Sequence, residues 1–231
     1  MTKKWYAMRM ETSGKRAIVR IDDEIGAWGV SASDFYRDLK ETAGNDRPVD
    51  VHVNSPGGHV FDGIAIYNML KDHRGKVTTY VDGIAASMAS IIVLAGDTVV
   101  MPENAMMMIH KPFGGVLGTA DAMRDQAELL DKITANMVAI YAGKSGQSED
   151  DVLAAMDKTT WMTGAEAYAL GYADVLGSPV ELAASFDVGR YASIPENISM
   201  RFFGKQKASH ENIVSALAGM RQSIDNLNME F

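Results

Sequence analysis

Ser87, His110 and the pair Gly57-Gly58 are the residues of this chain whose types and spacing could do chemistry. Ser87 stands in Gly83-Ile84-Ala85-Ala86-Ser87-Met88-Ala89-Ser90, and His110 in Met108-Ile109-His110-Lys111-Pro112-Phe113-Gly114-Gly115. Asn54-Ser55-Pro56-Gly57-Gly58 lies upstream of both. A serine hydroxyl is a poor nucleophile until a positioned base takes its proton. The oxyanion that then develops needs fixed N–H donors, and a glycine turn lets backbone N–H groups reach a reacting carbonyl. Nucleophile, base and donor turn all fall between Asn54 and Gly115. Together they point to a serine hydrolase.

Each part has an ordinary structural alternative. Ser87, flanked by alanines at the start of an expected helix, is equally well an N-cap. Ser90, three residues into that helix, is expected to bond back to the backbone. His110 closes the apolar strand Ala105–Ile109. There it either projects into the crevice where α/β proteins bind ligands or sits partly buried on a carbonyl. Pro56-Gly57-Gly58 is a turn signal in either case. His52, His59, His73 and His210 have no serine motif beside them, and no ligand spacing points to a metal. The run Met106–Met108 reads as core packing.

The elements that must position these residues follow from periodicity and caps. Lys15–Ile21, Val49–Val53 and Val77–Val81 read as strands, as do Val99-Val100 and Ala105–Ile109. Ser31–Asp34 offers caps for a helix to about Thr42, and Phe61–His73 and Ser87–Gly96 read as further helices. Thr119–Tyr141 predicts a long amphipathic helix, with Met123, Ala127, Leu130, Thr134, Met137 and Tyr141 on one stripe, stopped by Gly143 and Gly146. Ser148 caps a helix over Glu149–Met156. Thr163 and Glu166 form a capping box for one that begins at Trp161 and stops at Gly171. Strands alternating with helices give an α/β class. Residues 1–189 read as one domain, 190–208 as a linker, and 209–231 as an amphipathic helix with Ile213, Leu217, Met220, Ile224 and Leu227 on one face.

Composition narrows the function. The chain has 231 residues, 47% of them hydrophobic, enough for a full core. It has no cysteine, so disulfides and thiolate metal sites are excluded. A net charge of −8 argues against a broad nucleic-acid-binding face. The longest uncharged run, Gly83–Gly96, falls short of the ~20 apolar residues a membrane span needs. No apolar stretch follows the basic start Met1–Arg9, so a soluble, cytoplasmic protein without a signal peptide is expected.

The three segments, in their order and spacing, resemble the proteolytic subunit of the Clp protease over roughly residues 17–176. Each motif alone is common; the combination is highly specific. Trp28–Phe35, Val60–Asn68 and Thr160–Thr163 look like the phage branch of that family, the Clp-like head-maturation (prohead) proteases. The resemblance implies the Clp/crotonase spiral of repeated β-β-α units, with the helix at about 119–141 protruding as a handle through which rings join.

Carried over by position, it makes Ser87 the nucleophile, His110 the general base, and the N–H groups of Gly58 and Met88 the oxyanion hole. Substrate would bind as an added strand between the segments after Gly58 and Pro112. The family's acid position is Thr159 here, and Asp157 is the substitute candidate. Implied partners are a homo-oligomeric ring (heptamer-type or stacked) and a peptide or protein substrate, with capsid or scaffold protein in a phage procapsid on the phage reading. An unfoldase stays open; no cofactor, metal, nucleic acid or membrane is implied. Two alternatives remain: a crotonase-type acyl-CoA enzyme, which would rely on glutamates rather than a Ser–His pair, and a ring-forming structural protein with weakened catalysis.

Overall fold

The computed structural model describes residues 4–179. The linker expected at 190–208 and the helix at 209–231 lie outside the described residues. In chain order the elements are β1 (Tyr6–Met10), β2 (Ala17–Ile21), α1 (Ala32–Ala43), β3 (Val49–Ser55), α2 (Val60–Lys71), β4 (Val77–Ala86) and α3 (Met88–Val93). They continue with β5 (Thr98–Pro102), β6 (Met106–Ile109), α4 (Ala120–Ser145), α5 (Glu149–Asp157), β7 (Thr160–Thr163), α6 (Gly164–Ala169) and β8 (Val175–Gly177).

One sheet runs β1-β2-β3-β4-β5-β8, parallel except for the antiparallel pair β1–β2. β4 is the strand that matters for the site. Its first half, Thr78–Tyr80, pairs with β5, whereas its second half, Ile84–Ala86, pairs with β6. β6 in turn pairs antiparallel with β7. The β3–β4 register shifts between Val53 and Ser55, just before this divergence. The chain therefore leaves β4 at Ser87 where the sheet divides, with β6 beside it.

Local sequence explains most of this. β3 alternates fully buried Val49, Val51, Val53 and Ser55 with half-buried Asp50, His52 and Asn54, the period of two of a strand with unequal faces. Ser31 caps α1 through a capping box with Asp34, and Phe35, Leu39 and Ala43 recur on its buried face. All six residues of α3 are buried, so the long uncharged run Gly83–Gly96 is the end of β4 followed by a short core helix, not one helix throughout. α4 is longer than its stripe suggested: it passes through Gly143 and ends at Gly146, which takes the left-handed conformation at φ 74°. Only its second half packs inward, through Thr134, Met137, Val138 and Tyr141, while Met123 is 49% and Leu129 40% exposed.

β1, β7 and β8 were not anticipated. In β1 only Tyr6 is buried, so its apolar alternation is faint. In β7 the expected capping box Thr163–Glu166 forms, but Trp161 and Met162 before it pair with Met108 and Met107 instead of entering the helix.

Candidate active site

Ser87 joins β4 to α3 in a single residue with φ 54° and ψ −127°, a conformation that strains any side chain. Its surroundings hold it there. The Ser87 N–H donates to the Met108 carbonyl of β6 at 2.9 Å. Its carbonyl accepts from Ser90 N–H at 3.0 Å and from Ser90 Oγ at 2.6 Å, the back-bond expected of Ser90. The N-cap alternative fails, because the Ser87 side chain makes no capping bond to α3. Its Oγ lies instead 2.8 Å from His110 Nε2.

His110 follows the last residue of β6 and is 8% exposed. Burial penalises the imidazolium and pulls the pKa below its ordinary value, so the neutral ring predominates at neutral pH. A neutral imidazole whose Nε2 faces a hydroxyl can accept that hydroxyl's proton. The Phe113 ring meets the imidazole edge-to-face at 5.9 Å.

The glycine turn positions Gly58, one of the two expected donors. A Cβ on Gly58 would stand 2.3 Å from the Ile25 carbonyl oxygen, and φ is 147°, so this backbone approach requires glycine. Ile25 N–H donates to the Gly57 carbonyl at 2.8 Å, and the Ile25 carbonyl accepts from His59 N–H at 3.0 Å. In such a parallel bridge the intervening residue turns its own N–H to the other side, away from Ile25. The second expected donor, Met88 N–H, opens α3 and has no acceptor within its helix.

A cleft of about 560 Å³ contains Ser87, His110 and Gly58, with Phe61 and Phe113 on its walls. α4 contributes Gln126, Leu130 and Ile133 to the same cleft. Sequence reading assigned Leu130 to an amphipathic stripe but not to the site; the stripe was the available signal. Among the described residues no three His, Asp or Glu side chains gather as a metal-binding group.

Asp157 requires a correction. Its carboxylate, half-exposed at the end of α5, pairs with Lys111 Nζ at 2.5 Å, so it engages the neighbour of the histidine and not the imidazole. A helix-terminal carboxylate takes the nearest ammonium, and the chain brings Lys111 there. Thr159, at the expected acid position, has φ 53°, and its N–H closes the turn onto Met156 O at 3.1 Å.

The family model described as Clp protease matches residues 15–179. ATP-dependent Clp protease proteolytic subunits from two strains of Bacteroides fragilis are each 36% identical over 131 residues, 55% of this chain. The chain spans 63% and 59% of the lengths of these curated relatives. Among solved structures, a mutant of ClpP1 from Listeria monocytogenes is similar with a TM-score of 0.62 and 26% identity, over 70% of this chain and 91% of that one.

Proposed function

The chain belongs to the Clp protease family, and on that premise we propose that it is a serine endopeptidase working through an acyl-enzyme on Ser87. The observation that carries this reading is the 2.8 Å contact between Ser87 Oγ and His110 Nε2 inside a cleft edged by the glycine turn.

Ser87 Oγ attacks the scissile carbonyl while His110 Nε2 takes its proton. The carbonyl oxygen, now an oxyanion, accepts hydrogen bonds from Gly58 and Met88 N–H. His110 returns the proton to the departing amine, leaving an ester on Ser87. Water then attacks this ester, with His110 again as base, and Ser87 is regenerated as the peptide acid leaves. The same Ser–His pair disfavours a crotonase-type reaction, for which a serine nucleophile is not needed.

The finer reading is a head-maturation protease of phage type, acting on capsid or scaffold protein in the procapsid as a homo-oligomeric ring. Its support is the likeness of Trp28–Phe35, Val60–Asn68 and Thr160–Thr163 to that branch. Ser87→Ala tests the core reading: it should abolish both peptide hydrolysis and labelling by a fluorophosphonate probe. Labelling that persists in this variant would refute the assignment. Incubation with capsid and scaffold proteins, followed by mass spectrometry of the termini produced, tests the finer one.

A further inference from the structure

Tyr141 lies in the second half of α4, fully buried, 51 residues along the chain from Ser90. Its hydroxyl oxygen is 2.7 Å from Ser90 Oγ, and Ser90 Oγ is 2.6 Å from the Ser87 carbonyl. A carbonyl only accepts, so the single Ser90 hydroxyl proton is committed to Ser87 O. The Tyr141 O–H must then be the donor to Ser90 Oγ. The result is a directed relay: Tyr141 O–H to Ser90 Oγ–H to Ser87 O=C.

The Ser87 carbonyl and the Met88 N–H are the two ends of one peptide group. In a planar trans peptide they point in opposite directions, so fixing one fixes the other. Hydrogen-bond chains also polarise along their length, drawing electron density toward the carbonyl and making the N–H across the peptide a stronger donor. We propose that Tyr141 and Ser90 are positioning residues that hold and polarise the Ser87–Met88 peptide, keeping the Met88 N–H aimed at the oxyanion. The relay also explains how the strained Ser87 backbone is held: its N–H is pinned to Met108 O, and its carbonyl takes two bonds from Ser90. Burial keeps the Tyr141 phenol protonated well beyond the working pH range, so the relay does not reverse. The long helix thereby serves the reaction twice, through cleft residues such as Leu130 and through this buried hydroxyl.

This inference rests on the serine-peptidase reading, and the two can fail separately. Tyr141→Phe and Ser90→Ala are compared with the wild-type chain for hydrolysis of a peptide ester, for affinity toward a peptide boronate, and for affinity toward the product peptide. The boronate forms a tetrahedral adduct on Ser87 and places an oxygen in the oxyanion hole; the product peptide does not. The relay predicts that kcat falls about tenfold or more with KM little changed, a fraction of the effect of removing an oxyanion donor outright. Boronate affinity should fall in parallel, product affinity should hold, and the acid limb set by His110 should not move.

Because the residues act in series, Tyr141→Phe combined with Ser90→Ala should lose no more than Ser90→Ala alone. The double variant also leaves no buried hydroxyl without a partner, so it guards against a fold lost to that cause. Variants within twofold of wild type, or with boronate and product binding lowered equally, would overturn the relay while leaving the peptidase reading intact. A wild-type chain that neither cleaves nor labels at Ser87 would overturn the peptidase reading and the relay's catalytic role with it.

Discussion

A Cβ atom built on Gly57 would stand 2.7 Å from the Cβ of Ser87, with the Ala86 carbonyl oxygen equally close. The glycine turn and the turn at Ser87 therefore meet in close contact, and Gly57 has φ 97° as well. Gly57→Ala should cost about 3 kcal/mol, combining an unfavourable backbone conformation with overpacking. Melting temperature and fluorophosphonate labelling should fall together. Full labelling at an unchanged melting temperature would show that the turns can part without loss.

Desolvation lowers the His110 pKa below its ordinary 6.5, which favours the neutral imidazole. kcat/KM should therefore rise with pH along an acid limb whose inflection lies below 6.5, then level off. Stability has the same sign. The unfolded chain binds the proton more readily, so the folded state loses stability as pH drops through and below 6.5. An inflection above 6.5 would mean that the imidazole is solvated or paired with an anion during turnover.

Asp157 and Lys111 form a half-exposed ion pair, with side chains 51% and 44% accessible. Such pairs contribute at most about 1 kcal/mol. Asp157→Asn should leave kcat within a few-fold and the melting temperature nearly unchanged. An orienting triad carboxylate would show a loss of about 10⁴ in kcat. Steady-state kinetics of this one variant separate the two roles.

The helices and strands around the site were legible because each carries its own local instruction. Ser31 with Asp34 starts α1, the alternating valines make β3, and the glycine and serine spacings mark where Ser87 and His110 fall. The features that escaped depend on which elements pack together. The Tyr141–Ser90 hydrogen bond exists only because α4 lies on α3, and no local pattern announces a partner 51 residues away. Asp157 was the substitute candidate because it lies two residues before Thr159, but the position of the Lys111 ammonium decides where its carboxylate goes. Strand β7 has four residues, too few for periodicity to outweigh the capping box that follows it.

Thr159 holds φ 53°, a left-handed conformation that a β-branched side chain resists and Asn or Asp tolerates. Thr159→Asn should raise stability by about 1 kcal/mol through relief of strain alone. Thr159→Asp should gain a similar amount and also place a carboxylate at the position where the family carries its acid. If kcat/KM rises in the Asp variant and not in the Asn variant, charge is the cause. Equal activities in the two would show that this position does not reach His110.

The first half of α4 contributes little to its own core. Met123 is 49% exposed on the helix, and Leu117, just before it, is 87% exposed. Apolar side chains left in water on a projecting half-helix are better covered by another copy of the chain, as the proposed ring requires. Light scattering coupled to size exclusion should therefore find an oligomer at micromolar concentration. Leu117→Glu combined with Met123→Glu should shift the population toward monomer. The melting temperature of the monomer should stay close to that of a wild-type monomer, since neither side chain is buried within its own subunit. A wild-type chain that elutes as a monodisperse monomer would remove the basis for the ring. A double variant that assembles as wild type does would place the contact on another face.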